Sequence, residues 1–413
     1  MSNTNTNASF SLAVLFLFQI SLGCLGDWDA ELIAVGKFPG TAKDATQESK
    51  TLEEGTPTNQ LGGFSAIEYS GKDDLFWVLS DRGPADGAAS YPCRLHLISL
   101  KLNADSKKIK PKVIKTVRLK DQSGKPLLGS LSAVPNQAHE RGQALDPEGL
   151  RLLPDGDFAI SDEYGPAIDR FSPDGARKGS FSLPSWMNLT REISLATATE
   201  GAMPNRGLEG LALSAGGSIS GTNLLGVMQG PLIQDSYSVK EKRYGKHARI
   251  VQLSLDERLG KNRAMSQYLY PLTELKNGVS EILTVDNERY LVLERDSEKG
   301  KKAVTKAIYL IDLKGATDVA SKQQIPSGDL PPDIHPASKT MAIDLLDNRL
   351  GWNGDAAPEK PEGLAWGERL PDGRKSLWVC FDNDFESDVD SLFFLFAIPD
   401  SEIQRSTKGI VPK

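Results

Sequence analysis

The chain has 413 residues, 39% hydrophobic and 25% charged, an ordinary globular balance that excludes a disordered or fibrous chain and allows one large β domain or two medium ones. Its 55 Asp and Glu against 48 Lys and Arg give a formal charge of -7, which argues against nucleic-acid binding because such proteins present a basic face. Four His and three Cys leave little for a zinc site of nitrogen and sulfur ligands, so a bound cation is expected to be held by oxygen.

Residues 1–26 read as a signal peptide: a polar start, an apolar run over 10–20, and small residues around Gly23 and Gly26. The run is shorter than the roughly 18–20 residues a spanning helix needs. A secreted protein is expected, periplasmic in a bacterium, with no transmembrane segment in the mature chain. The polar end carries neither a glycolipid-anchor tail nor a retention signal. The mature domain, 27–413, keeps Cys93 and Cys380, which make either one disulfide or two small buried thiols. Asn188-Leu189-Thr190 is a glycosylation sequon.

Residues 30–40, "AELIAVGKFPG", read as a strand and are followed by five related hairpins. They are "GGFSAIEYSGKDDLFWVLSDRGP" from Gly62, "DPEGLRLLPDGDFAISDEYGP" from Asp146, "RGLEGLALSAGGSISGTNLLGVMQGP" from Arg206, "VSEILTVDNERYLVLERD" from Val279 and "PEGLAWGERLPDGRKSLWVCFDND" from Pro361. Each is two apolar strands joined by a Gly, Asp or Asn turn. A third β-rich run follows each, from Arg94, Ala167, Ala248, Ala307 and Ser391, and a fourth often comes next, from Lys112, Met265 and Lys339. Long amphipathic helices are scarce. Four antiparallel strands repeated five times predict an all-β fold: a single β-propeller of five four-stranded blades, or six if one has lost its signature. The anchor residues Ser65, Glu148, Glu209, Glu281 and Glu362 lie 61 to 83 residues apart, which requires long connecting loops such as 120–143 and 316–339. Segment 30–40 would close the ring against the last blade, and a Cys93 to Cys380 bond would staple that closure.

In such a hairpin the start of the first strand meets the end of the second, so both acidic ends face one mouth of the channel. A turn at 154–157 sets Glu148 opposite Glu163; the turn at Asp372 and Gly373 sets Glu362 beside Asn383 and close to Asp382; Glu281 falls near Glu294. Glu148, Asp162, Glu209, Glu281, Glu362 and Asp382 are thereby candidate ligands. Packed carboxylates raise one another's pKa unless a cation intervenes, and Ca²⁺ accepts six to eight oxygen ligands in flexible geometry. The plainer alternative is that each Glu-Gly accepts backbone hydrogen bonds and ties neighbouring blades together. Asp155 and Asp372 are turn residues. Arg82, Arg206 and Arg295 could grip a phosphate or carboxylate in bidentate fashion, or simply pair with the adjacent acids.

"DPEGLRLLPDGDFAISDEYGPAIDRFSPDG", "NRGLEGLAL" and "PEGLAW" resemble motifs of the phytase-like family, described as having the esterase-like activity of phytase, and the likeness covers roughly residues 60–400. The resemblance implies an exported propeller, with Glu148, Asp162, Glu163, Glu209 and Glu362 at the matching positions as candidates for phosphoester hydrolysis. Ser65 and Gln229 depart from the acidic pattern, which makes the ring asymmetric. The expected chemistry is metal-assisted hydrolysis of a small phosphorylated ester, with Glu163 or Glu294 as general base and Arg82 or Arg295 clamping the phosphoryl oxygens. No Gly-x-Ser-x-Gly elbow and no phosphate-cradling Gly-rich loop occur. Two other readings share these features: a non-catalytic secreted propeller that binds a protein, glycan or small ligand, and a metal-dependent lactonase or carboxylesterase.

Overall fold

The computed structural model describes residues 28–404 apart from 49, 104–105, 134–141, 182, 190–193, 215–221 and 256–264. The leader with Cys24, and Thr190 of the sequon, lie outside the described residues. What is described is nearly all β. Strand β1 (Glu31–Phe38) precedes a first unit of β2 (Phe64–Tyr69), β3 (Leu75–Ser80), β4 (Arg94–Asn103) and β5 (Lys108–Arg118). The second unit is β6 (Pro147–Leu152), β7 (Phe158–Asp162), β8 (Ala167–Phe171) and β9 (Arg177–Phe181). The third runs β10 (Leu208–Leu213), β11 (Asn223–Met228), then a two-stranded ribbon of β12 (Tyr237–Val239) and β13 (Lys242–Tyr244), then β14 (His247–Ser254) and β15 (Met265–Pro271). The fourth is β16 (Gly278–Thr284), β17 (Arg289–Arg295), β18 (Lys306–Asp312) and β19 (Ser338–Asp344). Last come β20 (Lys360–Trp366), β21 (Lys375–Asp382), β22 (Ser391–Ile398) and one short helix, α1 (Asp400–Gln404).

The middle three units are four-stranded antiparallel sheets in chain order. The first and last join in one eight-stranded sheet, β2-β3-β4-β5-β1-β22-β21-β20. Within it β1 pairs antiparallel with β22 over Glu31 to Phe38 and so supplies a fourth strand to the last unit, as the reading of residues 30–40 expects. Only a single parallel bridge, Val35 to Lys108, links β1 to β5. The composition of each strand follows its place. Strand β22, "SLFFLFAI", is buried along its whole length, whereas β5, "KIKPKVIKTVR", the fourth strand of the first unit, alternates lysines toward solvent.

The first strands of the units touch in a closed cycle: β2 with β6, β6 with β10, β10 with β16, β16 with β20, and β20 with β2. The core accordingly consists of layers between consecutive units. Leu79, Leu95 and Val117 meet Leu150, Phe158 and Ile160; Ala159 and Ile168 meet Leu208 and Leu224; Leu225 and Ile250 meet Ile282 and Val292; Leu293 and Ile308 meet Leu364 and Val379; Phe76 and Val78 meet Ala365 and Trp378. Cys93 and Cys380 are free thiols buried in two different layers, with Sγ atoms facing the carbonyls of Leu145 at 3.3 Å and Phe64 at 3.8 Å. The disulfide expectation is corrected accordingly, in favour of two buried thiols.

Every first strand carries a β-bulge near its start. The pairing skips between Phe64 and Ala66, Pro147 and Leu150, Leu208 and Leu211, Val279 and Glu281, and Pro361 and Gly363. The extra residue bends the strand and re-aims one side chain. The pairs differ from those expected, Glu148 opposite Glu163 and Glu362 beside Asn383: Pro147 opposes Asp162 and Lys360 opposes Asp382. The Glu-Gly dipeptide has a packing reason. A Cβ on Gly210 would lie 2.4 Å from Cα of Glu281 in the next unit, and one on Gly149 would lie 2.6 Å from the Glu209 carbonyl oxygen.

Candidate functional site

The bulges turn Ser65, Glu148, Glu209 and Glu362 into one cavity at an end of the cycle, and the residues that leave the second strands, Asp81, Glu163, Gln229, Arg295 and Asp382, come to the same place. Its volume is about 220 Å³. Arg82, Arg206, Lys276 and Lys360 also line it, so carboxylates and cations share the mouth.

Most of the acids are engaged. Arg82 donates from Nη1 to Asp146 at 2.5 Å and to Glu163 at 3.4 Å, and its backbone N–H donates to the other Asp146 oxygen at 3.2 Å. Glu163 accepts the Gly207 N–H at 2.9 Å on Oε1, which leaves Oε2 toward Arg82. Arg295 binds Glu362, Lys360 lies 3.5 Å from Asp382 and also pairs with Asp384, and Gln229 donates to Glu209. Glu148 has neither hydrogen-bond nor ion-pair partner among the described residues. Oxygen atoms of Asp146, Glu148 and Glu163 lie within 4.8 Å of one another, a spacing that a single hard cation can bridge. Arg206 has no carboxylate partner among the described residues and is held by the carbonyls of Lys276 at 2.8 Å and Asn277 at 3.3 Å.

This crowding shows in the proton affinities. Burial, then the charges of Glu209, Asp146 and Glu163, push the Glu148 carboxyl well above its usual range. Burial and Asp146 push Glu163 up to about 8 against the opposing pull of Arg82. Glu209 rises through burial and then Glu163 and Glu362, Asp81 through burial and Asp382, and Asp382 reaches about 7 through burial, opposed by Lys360.

Of the residues singled out in the sequence, Arg82, Glu148, Glu163, Glu209, Arg295, Glu362 and Asp382 are brought together, and Glu281, Glu294 and Asp162 are not among the lining residues. In the fourth unit the bulged residue is Ser280, so Glu281 takes the place that glycine holds in the second, third and fifth units and, one residue along a strand, points the other way. It lies buried 3.1 Å from Arg151 and accepts the N–H groups of Leu211 and Ile282. Glu294 pairs beside Val279 rather than leaving the strand, and is enclosed by Tyr270, the Thr273 N–H, Asn277 and Lys339. Asp162 lies behind the mouth and accepts the N–H groups of Asp146 and Tyr164. Asp81, Asp146, Lys276 and Lys360 join the site although none of them is among the ligands or catalytic groups expected from the sequence. Asp81 sits in the cluster Ser80-Asp81-Arg82, but its equivalence to Glu163 is visible only once Phe64 is paired with Ser80 and Pro147 with Asp162.

A family model described as "Phytase-like: Esterase-like activity of phytase" matches residues 59–385. An uncharacterized secreted protein of Arthroderma benhamiae is 24% identical over an alignment of 463 residues, covering 90% of this chain and 86% of that one. Among solved structures, a putative exo-beta-1,3-galactanase from Bifidobacterium bifidum aligns with a TM-score of 0.41 at 8% identity, over 86% of this chain and 93% of its own. The major allergen Mala s 1 of Malassezia sympodialis aligns at 0.38 and 10%, over 86% and 82%. Likenesses this loose carry no argument about chemistry. No helix among the described residues is long and apolar enough to cross a membrane.

Proposed function

The chain belongs to the phytase-like family, and from that premise we propose that it is a secreted five-bladed β-propeller that hydrolyses small phosphate esters with the help of a divalent cation. The family's esterase-like description suggests a hydrolase. The cycle of first strands and the closure of the last unit by β1 support the blade count. The observation that carries the chemistry is Glu148, without a hydrogen-bond or ion-pair partner among the described residues, beside Asp146 and Glu163 in a cavity that Arg82, Arg206 and Arg295 also line.

Asp146 and Glu148 are the residues that would hold Ca²⁺, since hard oxygen donors are the only kind this cluster offers, and Glu163 stands beside them. The chemistry such an ion supplies when bound is screening of the phosphoryl charge. Arg206, whose guanidinium is steadied by carbonyls rather than neutralised by an acid, would bind a phosphoryl oxygen. Glu163 is the proton acceptor, because burial holds its proton affinity near neutrality while the Gly207 N–H fixes its orientation. A cavity of about 220 Å³ admits a phosphoryl group but not a whole drug-sized body, so the ester's alcohol part would remain outside the mouth.

The test is calorimetric Ca²⁺ titration of the mature chain together with hydrolysis of a phosphomonoester and a phosphodiester. Glu148→Gln should weaken calcium binding about 10-fold or more and abolish metal-dependent turnover. Binding without turnover of any ester would favour a recognition module, turnover of lactones alone would redirect the reaction class, and absence of calcium binding would return the carboxylates to a structural role.

A further inference from the structure

A second cavity, of about 520 Å³, opens beside the mouth between the β12–β13 ribbon and the loops before β16 and after β17. Its walls are continuous with those of the mouth. Lys276 lines both; along the same two segments Gly278 and Ser297 face the mouth while Asn277, Asp296 and Glu298 face the groove. The carbonyls that hold Arg206 in the mouth belong to Lys276 and Asn277, so the partition is tied to the anion-binding guanidinium itself.

The groove is apolar in a way the rest of the surface is not. Among the described residues seven large hydrophobic side chains are exposed, and three of them, Tyr237 at 43%, Val239 at 50% and Val304 at 79%, gather here. Tyr237 and Tyr244 are cross-strand partners with ring centroids 6.0 Å apart. Val304 does not hang on a slack loop. The Asp296 carboxylate accepts the N–H groups of Glu298 at 3.0 Å, Val304 at 2.6 Å and Thr305 at 2.7 Å, and the Lys306 ammonium at 2.8 Å. On the other side Arg243 ties the ribbon to the carbonyls of Leu195 and Ala198. Apolar groups held rigidly in water lose hydrophobic free energy that a ligand would recover, and rigidity lowers the entropy lost on binding. Among the lining residues Glu274 and Glu298 are offset by Lys276 and Lys302, and Asp296 is paired with Lys306, so the groove offers an anion no excess of positive charge and the charged end of a ligand falls to the mouth.

We propose that this groove is a subsite for an uncharged aromatic ring on the alcohol part of the ester whose phosphoryl group enters the mouth. The class of ester rests on the hydrolase reading above; the affinity of the groove for a ring does not. The subsite supplies the room that the mouth lacks, with the Tyr237 and Tyr244 rings as the stacking wall and Val304 as the opposite lip.

The experiment compares binding of naphthylphosphonate and methylphosphonate, neither of which can be hydrolysed as an ester, to the wild-type chain, Tyr237→Ala and Val304→Ser. Both side chains are exposed, so the variants should keep the wild-type thermal midpoint. The aryl ligand should bind about 10-fold more tightly than the methyl one in the wild type, an advantage worth about 1.4 kcal/mol. That advantage should vanish in Tyr237→Ala and shrink in Val304→Ser, with methylphosphonate unchanged throughout. Equal affinities in the wild type, or an aryl advantage untouched by both substitutions, would overturn the subsite. If neither phosphonate binds, 2-naphthol followed by its own fluorescence reads the groove directly; binding lost in Tyr237→Ala supports the proposal, and no binding or no change overturns it. Failure of the hydrolase reading looks different: no turnover of naphthyl phosphate, with ring binding and its dependence on Tyr237 intact.

Discussion

Glu163 illustrates how one side chain is tuned by its surroundings: burial and Asp146 hold its proton on, while Arg82 works to release it. An unfolded glutamate ionises near 4.5, whereas this one does so at about 8, so between those values the folded chain binds a proton that the unfolded chain gives up. Stability conferred by that proton is present at low pH and declines as pH rises through the window, the reverse of the usual salt-bridged carboxylate. Asp382, at about 7, pushes the same way. In the presence of a chelator, the melting temperature should therefore fall by several degrees between pH 5 and 8, and Glu163→Gln should flatten the slope. A midpoint that rises over this range would contradict the assignment. At this scale the sequence was ambiguous about the arginines, and the structure divides them: Arg82 and Arg295 pair with acids, while Arg206 is held by carbonyls.

The repeated element is a bulged first strand, and in the second, third and fifth units its Glu faces the mouth and its Gly faces the next unit. Gly210 shows why the two letters travel together, since a methyl there would overlap the Cα and carboxylate of Glu281. Backbone cannot yield as the end of a long side chain can, so Gly210→Ala should destabilise the chain by about 1–3 kcal/mol in urea unfolding. Gly165→Ala, where nothing lies within 4 Å, should stay within about 0.5 kcal/mol of wild type. Comparable losses from both would mean that the close approach between β10 and β16 is not what selects glycine. Strand identity and the turns were readable from apolar runs bounded by Gly, Asp and Asn. The bulge was not, because an extra residue leaves composition and alternation almost unchanged while moving every following partner by one.

Over the whole molecule, stability depends on the seam where the last unit meets the first. Phe38, at the end of β1, packs its ring 6.3 Å from Phe64 of the first unit and 6.0 Å from Phe393 of the last. Phe38→Ala should cost about 3–5 kcal/mol, read as a lower unfolding midpoint, because it opens a cavity between two units rather than within one. A loss below about 1 kcal/mol would show that the seam is held by the β1 to β22 ladder alone.

The nearly all-β fold, the five hairpins, the strand from residues 30–40 and the family were written in local signals: strand-forming runs, turn residues and the Glu-Gly-Leu and Ser-Asp-Glu motifs. These survive in sequence because period-2 burial and turn geometry act over a few residues. Which acids meet was decided only in three dimensions. The one-residue bulge keeps Glu148, Glu209 and Glu362 in the mouth and turns Glu281 away toward Arg151, while strand pairing encloses Glu294 among Tyr270, Asn277 and Lys339. The apolar groove beside the charged mouth is bounded by loops of the fourth unit and a ribbon from the third, so no single stretch of sequence contains it. Side-chain direction alternates residue by residue, and proximity between units depends on how whole sheets pack, so neither is encoded in any one motif.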